Sequence, residues 1–116
     1  MLQPTATDLL VRMLGACELR ARVVSANIAN SNTPGYVRRV VRFEELLRRE
    51  LLQGGDPARV LPQTSADLSA PARPDGNNVN LELELNAMRE NRLLYESYSS
   101  ILRSHFELLE TAIASG

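Results

Sequence analysis

Side chains suited to acid–base, nucleophilic or metal chemistry are few in this sequence: one histidine, His105, and one cysteine, Cys17, among 116 residues. One histidine builds no His-based metal cluster, and one cysteine forms no internal disulfide. His105 sits on the edge of an apolar stripe and reads as a packed or interfacial residue. Cys17 falls on a heptad seam, where it behaves as a small hydrophobe; a reactive thiol needs a basic, partly exposed setting. The stretch Asp75-Gly76-Asn77-Asn78 faintly resembles a calcium loop but lacks the spaced acidic ligands and terminal Glu of one. It reads instead as a turn entering a helix.

The carboxylates Glu82, Glu84, Glu90 and Glu96 occupy helix faces, where they stay solvated or pair with arginine. No nucleophile, base and orienter can be assembled from what remains, so catalytic residues, cofactor-binding residues and metal ligands are all expected to be absent. Arginines 38, 39, 42, 48 and 49 alternate with Glu44, Glu45 and Glu50. Without an aromatic platform they read as a solvated or subunit-contacting face rather than a nucleic-acid site. The net charge of -1 gives no electrostatic case for nucleic acid or anionic membrane. Nothing points to a small-molecule substrate, and no run is long enough for membrane insertion. The N-terminus shows no cleavable secretory signal, so the chain is expected to be soluble or to leave the cytoplasm by another route.

With chemistry set aside, the elements carry the information. Aromatic residues make up 4% and tryptophan is absent, so the apolar material is aliphatic and lies on long periodic segments, which suits helix-on-helix packing. Residues 7–31 read as one helix capped by Asp8, with a seam of Leu10, Leu14, Cys17, Ala21, Val24 and Ile28 at spacings of four and three. Residues 36–43 read as extended backbone, and 43–53 as a short amphipathic helix ended by Gly54-Gly55. The proline-bearing stretch 56–76 reads as an irregular linker. A second helix runs from Asn80 to about Ala114, with Asn77, Asn78 or Asn80 as its cap. Leu81, Met88, Tyr95, Leu102 and Leu109 recur every seven residues along it, and Leu85 widens the stripe.

The expected fold is therefore mainly α: two long terminal helices packed as an antiparallel coiled coil, joined by an extended segment, a short helix and an irregular linker. Residues 1–33 form the N-terminal helical unit, 34–78 the connection and 79–116 the C-terminal helical unit. The second helix spans roughly 50 Å and the first roughly 37 Å at 1.5 Å per residue. One unequal pair leaves apolar stripe exposed, which points to assembly with other chains.

Between the helices, NIANSNTPGY concentrates three asparagines and a Pro-Gly turn. Asn30 or Asn32 is expected to take the left-handed conformation that ends a helix. Pro34-Gly35 supplies the centre of a type II turn and pushes Thr33 out of helical geometry. Asn27, a full turn earlier, has no such local explanation.

At this point a family becomes recognisable. Ala26 to Tyr36, ANIANSNTPGY, followed by basic and apolar residues, resembles the N-terminal signature of bacterial flagellar axial proteins: rod, hook and hook-associated subunits. The segment DGNNVNLELELNAMRENRLLYESYSSIL, Asp75 to Leu102, is similar to the C-terminal signature of its proximal rod members. Asn80 stands where an acidic residue is common, and Leu85 where methionine is common. The other short proximal rod protein, FlgC, usually carries a proline before Asn-Val, which this sequence lacks. The signature residues are Asn27, Asn30, Asn32, Thr33, Pro34, Gly35 and Tyr36, then Asp75, Gly76, Asn77, Asn78 and Val79.

The resemblance implies a structural subunit whose terminal helices form the inner layer of a tube. It implies a place in the periplasmic rod of the basal body, reached through the flagellar type III export apparatus without a cleaved signal. Implied partners are further copies, the rod proteins FlgC, FlgF and FlgG, the FliE adaptor, and the MS ring and export gate. From another class, the rival is a helical adaptor or chaperone that dimerises through its seams. It predicts a discrete oligomer in dilute solution.

Overall fold

The computed structural model describes residues 6–115. Helix α1 spans Ala6–Ala29, strand β1 Arg39–Arg42, helix α2 Glu44–Leu52, strand β2 Gln63–Ala66 and helix α3 Leu81–Ser115; a single 3-10 turn covers Pro57–Arg59. Asp8 lies inside the first turn of α1, where a carboxylate complements the helix dipole.

Helices α1 and α3 pack as an antiparallel pair. Asn27 near the end of α1 meets Glu84 in the first turn of α3, whereas Cys17 meets Asn91 about two turns further along α3. The 35 residues of α3 extend about 52 Å, against about 36 Å for the 24 of α1. The molecule is accordingly a flat rod of 65 × 29 × 15 Å.

The connection holds more order than an irregular linker. Strands β1 and β2 pair antiparallel, with Arg39 opposite Ala66 and Arg42 opposite Gln63. The β-branched Val40 and Val41 suit the first strand, but QTSA in the second carries no strand signal of its own. Its pairing comes from the partner strand.

Helix α2 ends in a Schellman arrangement. Gly54 takes φ +71° and donates to Leu51 O, while the Gly55 amide reaches Glu50 O at 3.0 Å. Beneath α2 lies the only sizeable apolar cluster among the described residues: Ala16, Phe43, Leu47 and Val60, with Leu9, Met13 and Leu46 against it. Each fully buried large side chain there contributes roughly 1.5–3 kcal/mol. The core therefore sits on the N-terminal half of α1, away from the signature segments.

Asn80 caps α3, its Oδ1 accepting the Leu83 amide at 3.2 Å. The expected left-handed asparagine is not found: among the described residues only Gly35, Gly54 and Gly76 have positive φ. Asn30 stays right-handed and its amide donates back to Ala26 O at 2.8 Å. The reason lies in Asn77, which satisfies the helix-end carbonyls from outside and removes the need for a left-handed turn.

Candidate functional site

The two signature segments meet and interlock. Asn77, fully buried, donates from its amide to Asn30 O at 2.9 Å and Thr33 O at 2.8 Å. Its Oδ1 accepts the Val79 amide at 2.7 Å, and its own N–H is held by the Asp75 carboxylate at 2.9 Å. The neighbouring Asn78 accepts the Arg38 amide at 2.7 Å and donates to Asp67 O at 2.7 Å. Backbone bonds add to the joint, Gly35 donating to Asp75 O at 2.8 Å and Asn78 to Tyr36 O at 3.3 Å.

Gly35 and Gly76 make this approach possible. A Cβ on Gly76 would sit 3.3 Å from the Gly35 Cα, and both residues have positive φ, +86° and +74°. The turn over Pro34 is closed by the Tyr36 amide to Thr33 O at 3.2 Å.

Asn27 is the second centre. It is fully buried and all four of its hydrogen-bonding positions are used. Its Oδ1 accepts from the Arg39 amide at 3.0 Å and the Tyr36 hydroxyl at 3.1 Å; its Nδ2 donates to Arg39 O at 2.9 Å and Glu84 Oε2 at 3.2 Å. One amide thus ties α1 to β1 and to α3.

Glu84, 1% exposed, completes the centre. Arg38 Nε lies 2.6 Å from its Oε1, and the same guanidinium pairs with Asp67. Burial works against the Arg38 charge, but the bonds to Glu84 and Asp67 prevail and its pKa is raised. Hydrogen bonds from the Ser69 hydroxyl and amide hold the Asp67 carboxyl below its usual range, with Arg38 adding to the effect.

A third polar tie lies about two turns along α3. Asn91 donates to Cys17 O at 2.8 Å and accepts from Arg20, whose other nitrogen meets Glu44 Oε2 at 2.7 Å. This chain joins α3, α1 and α2. Burial pushes the Cys17 thiol above its usual range, Glu44 reinforcing and Arg20 opposing.

Among the other residues singled out in the sequence, Val79, Leu10, Cys17 and Val24 are buried, and Leu14, Ala21, Ile28, Met88 and Leu102 half-buried. Asn32, Thr33, Pro34, Gly35, Asp75 and Gly76 face solvent, as do Leu81, Leu85, Tyr95 and Leu109. Inside one chain, the line of α3 facing α1 is Glu84, Met88, Asn91, Tyr98, Leu102 and His105. Two polar residues hold seam positions, so reading apolar residues alone places the seam beside its true line. Asn91 and Asp67 are not singled out in the sequence. Glu84, read there as solvated or paired with arginine, is buried and paired. Arg38, read as part of a solvated or subunit-contacting face, is its partner. The available signal is the four-three spacing 84, 88, 91 and again 98, 102, 105, with Glu and Asn at two of its places.

This geometry suits a rigid joint rather than a reaction. No metal-binding group of His, Cys, Asp and Glu occurs among the described residues. None of their helices is long and apolar enough to cross a membrane.

Comparison with known proteins bears on the same segment. The profile described as "Flagella basal body rod protein" matches residues 19–36, the second half of α1 with Asn27 and the turn that follows it. The flagellar basal body rod protein FlgB of Borrelia hermsii is 29% identical, over 93% of this chain and 95% of its own length. FlgB of Escherichia coli K12 is 30% identical over 84% of each chain. This chain belongs to the FlgB family. FlgB of Bacillus subtilis is 26% identical over 89% of the chain and 88% of its own length. As a FlgB-family protein the chain is a structural component of the flagellar basal body rod.

Proposed function

We propose that the chain is a subunit of the proximal rod, building through its terminal helices the tube that transmits torque and encloses the export channel. Two facts of architecture support this. The polar joint fixes the hairpin and both helices as one piece, which a load-bearing subunit requires. The long α3 then leaves Leu83, Leu93, Ile101 and Leu108 each more than half exposed, at 64%, 63%, 53% and 70%. That apolar surface is the observation that carries the reading, because a chain with a small core gains most of its stability by covering it. FlgC, FlgF, FlgG and FliE are the neighbours, with the MS ring and export gate beneath. Delivery is through the type III apparatus without a cleaved signal.

Purified basal bodies from cells whose own copy is replaced by a tagged chain test this reading. The tag is expected at the base of the rod, and cells lacking the chain are expected not to swim. A tag found only as a discrete cytoplasmic dimer, with rods intact in its absence, would favour a helical adaptor instead.

A further inference from the structure

The N-terminal half of α1 and helix α2 enclose a groove of about 340 Å³ lined by Met13, Leu47, Leu51 and Leu52, with Glu44 and Arg48 at its side. Leu52 is 79% exposed and Leu51 51%, so no described residue closes it. Glu44 carries a second peculiarity: its Oε1 is buried and has no hydrogen-bond partner among the described residues, although its Oε2 meets Arg20. The Glu44 side chain as a whole is nevertheless 38% exposed, so a cation from outside the chain can approach its carboxylate.

At the same end of the molecule α3 outruns its packing. Every described residue after His105 is exposed, including Phe106, Leu109 and Ile113 at 47%, 49% and 79%. These three recur at three and four residues and form one apolar line. Arg103 and Glu107 lie one turn apart along its edge, and neither makes an ion pair among the described residues. On α2, Glu44 and Arg48 are likewise one turn apart, but with the signs reversed.

We propose that this groove receives the C-terminal end of α3 from a second copy of the chain, aligned parallel to α2. Arg103 of the incoming helix then meets the exposed side of the Glu44 carboxylate, and Glu107 meets Arg48. The apolar line of the incoming helix covers Met13, Leu47 and Leu51. The α1–α2 groove and the α3 end are different surfaces, so the contact is head-to-tail and propagates from copy to copy. This deepens the rod-subunit reading and rests on it.

Charge reversal in the full chain, expressed in cells lacking their own copy, tests the pairing. R48E alone and E107R alone are each expected to lower the chain in purified basal bodies roughly tenfold, and the double reversal to restore it. Both positions changed, Arg48 and Glu107, are exposed, so folding is left intact. In parallel, Leu51→Cys with Glu110→Cys is expected to give an oxidatively linked dimer of the chain in assembled basal bodies, and neither single variant to do so. Cys17, at 1% exposure, stays in place without competing. Normal incorporation of both single reversals, no rescue by the double, or a cross-link to a different rod component overturns the interface. The unaltered chain's absence from basal bodies would instead remove the rod reading, and this inference with it.

Discussion

The amide of Asn77 donates to the carbonyl of Asn30, 47 positions earlier, at 2.9 Å, so the first helix is finished by a side chain from the approach to the last. Helix-end carbonyls ordinarily find local partners or water. Here the partner comes from the other signature, and the end of α1 cannot be correct unless α3 is also in place.

Asn77→Ala removes two donors and one acceptor at a fully buried site. The stranded carbonyls and amide are expected to cost about 2–4 kcal/mol in all. Urea unfolding with circular dichroism reads this as a lower midpoint. Asn77→Asp is expected to be worse, since it sets a carboxylate against the carbonyls of Asn30 and Thr33. A midpoint unchanged by both would show the bonds to be incidental.

Asn27→Leu improves helix propensity by roughly 0.5 kcal/mol. It also strands the Arg39 backbone and withdraws a donor from buried Glu84. The second effect is larger, so net destabilisation of about 2–4 kcal/mol is expected. Faster amide exchange in β1 is its specific signature, because that strand loses its anchor to α1.

Glycine substitutions are expected to split in sign. Gly76→Ala places a Cβ 3.3 Å from the Gly35 Cα at φ +86°, a strain of order 1–3 kcal/mol. Gly15→Ala meets nothing within 4 Å inside α1 and is expected to stabilise by roughly 0.5–1 kcal/mol. Thermal midpoints of the two variants, moving in opposite directions, check both.

Acid sensitivity should run through Asp67. Its folded pKa lies below the unfolded value, so its contribution is present above the unfolded pKa and is lost as pH falls through the folded one. Stability is expected to decline below about pH 4. In Asp67→Asn that part of the slope disappears while the rest of the profile remains, as denaturant midpoints across pH 2.5 to 7 would display.

Ile101→Arg, on the outer side of α3, replaces a residue that is 53% exposed. The isolated chain is expected to change by no more than about 0.5 kcal/mol, whereas its amount in purified basal bodies falls. Equal incorporation of the variant would remove this stretch from the assembly surface.

Helix α1, helix α2 with its glycine stop and helix α3 were legible in the sequence because each depends on neighbours three or four residues away. Periodicity and glycine stops are local, and residues such as Leu10, Val24 and Gly54 declare them, whereas the cap of α3 stood open among Asn77, Asn78 and Asn80 until the Leu83 amide found Asn80. The Pro34-Gly35 turn was legible for the same reason, since a positive φ at Gly35 needs no distant partner. Strand β2 was not, because QTSA becomes a strand only when β1 lies beside it. Nor were the roles of Asn27, Asn77 and Glu84. Polar side chains on a helix or turn ordinarily face water, and only tertiary packing decides which of them are removed from it. Once Asn27 and Glu84 are buried, desolvation makes every unpaired atom costly. Their partners, Arg39, Tyr36 and Arg38, are then fixed by three-dimensional proximity, which no spacing along the chain records.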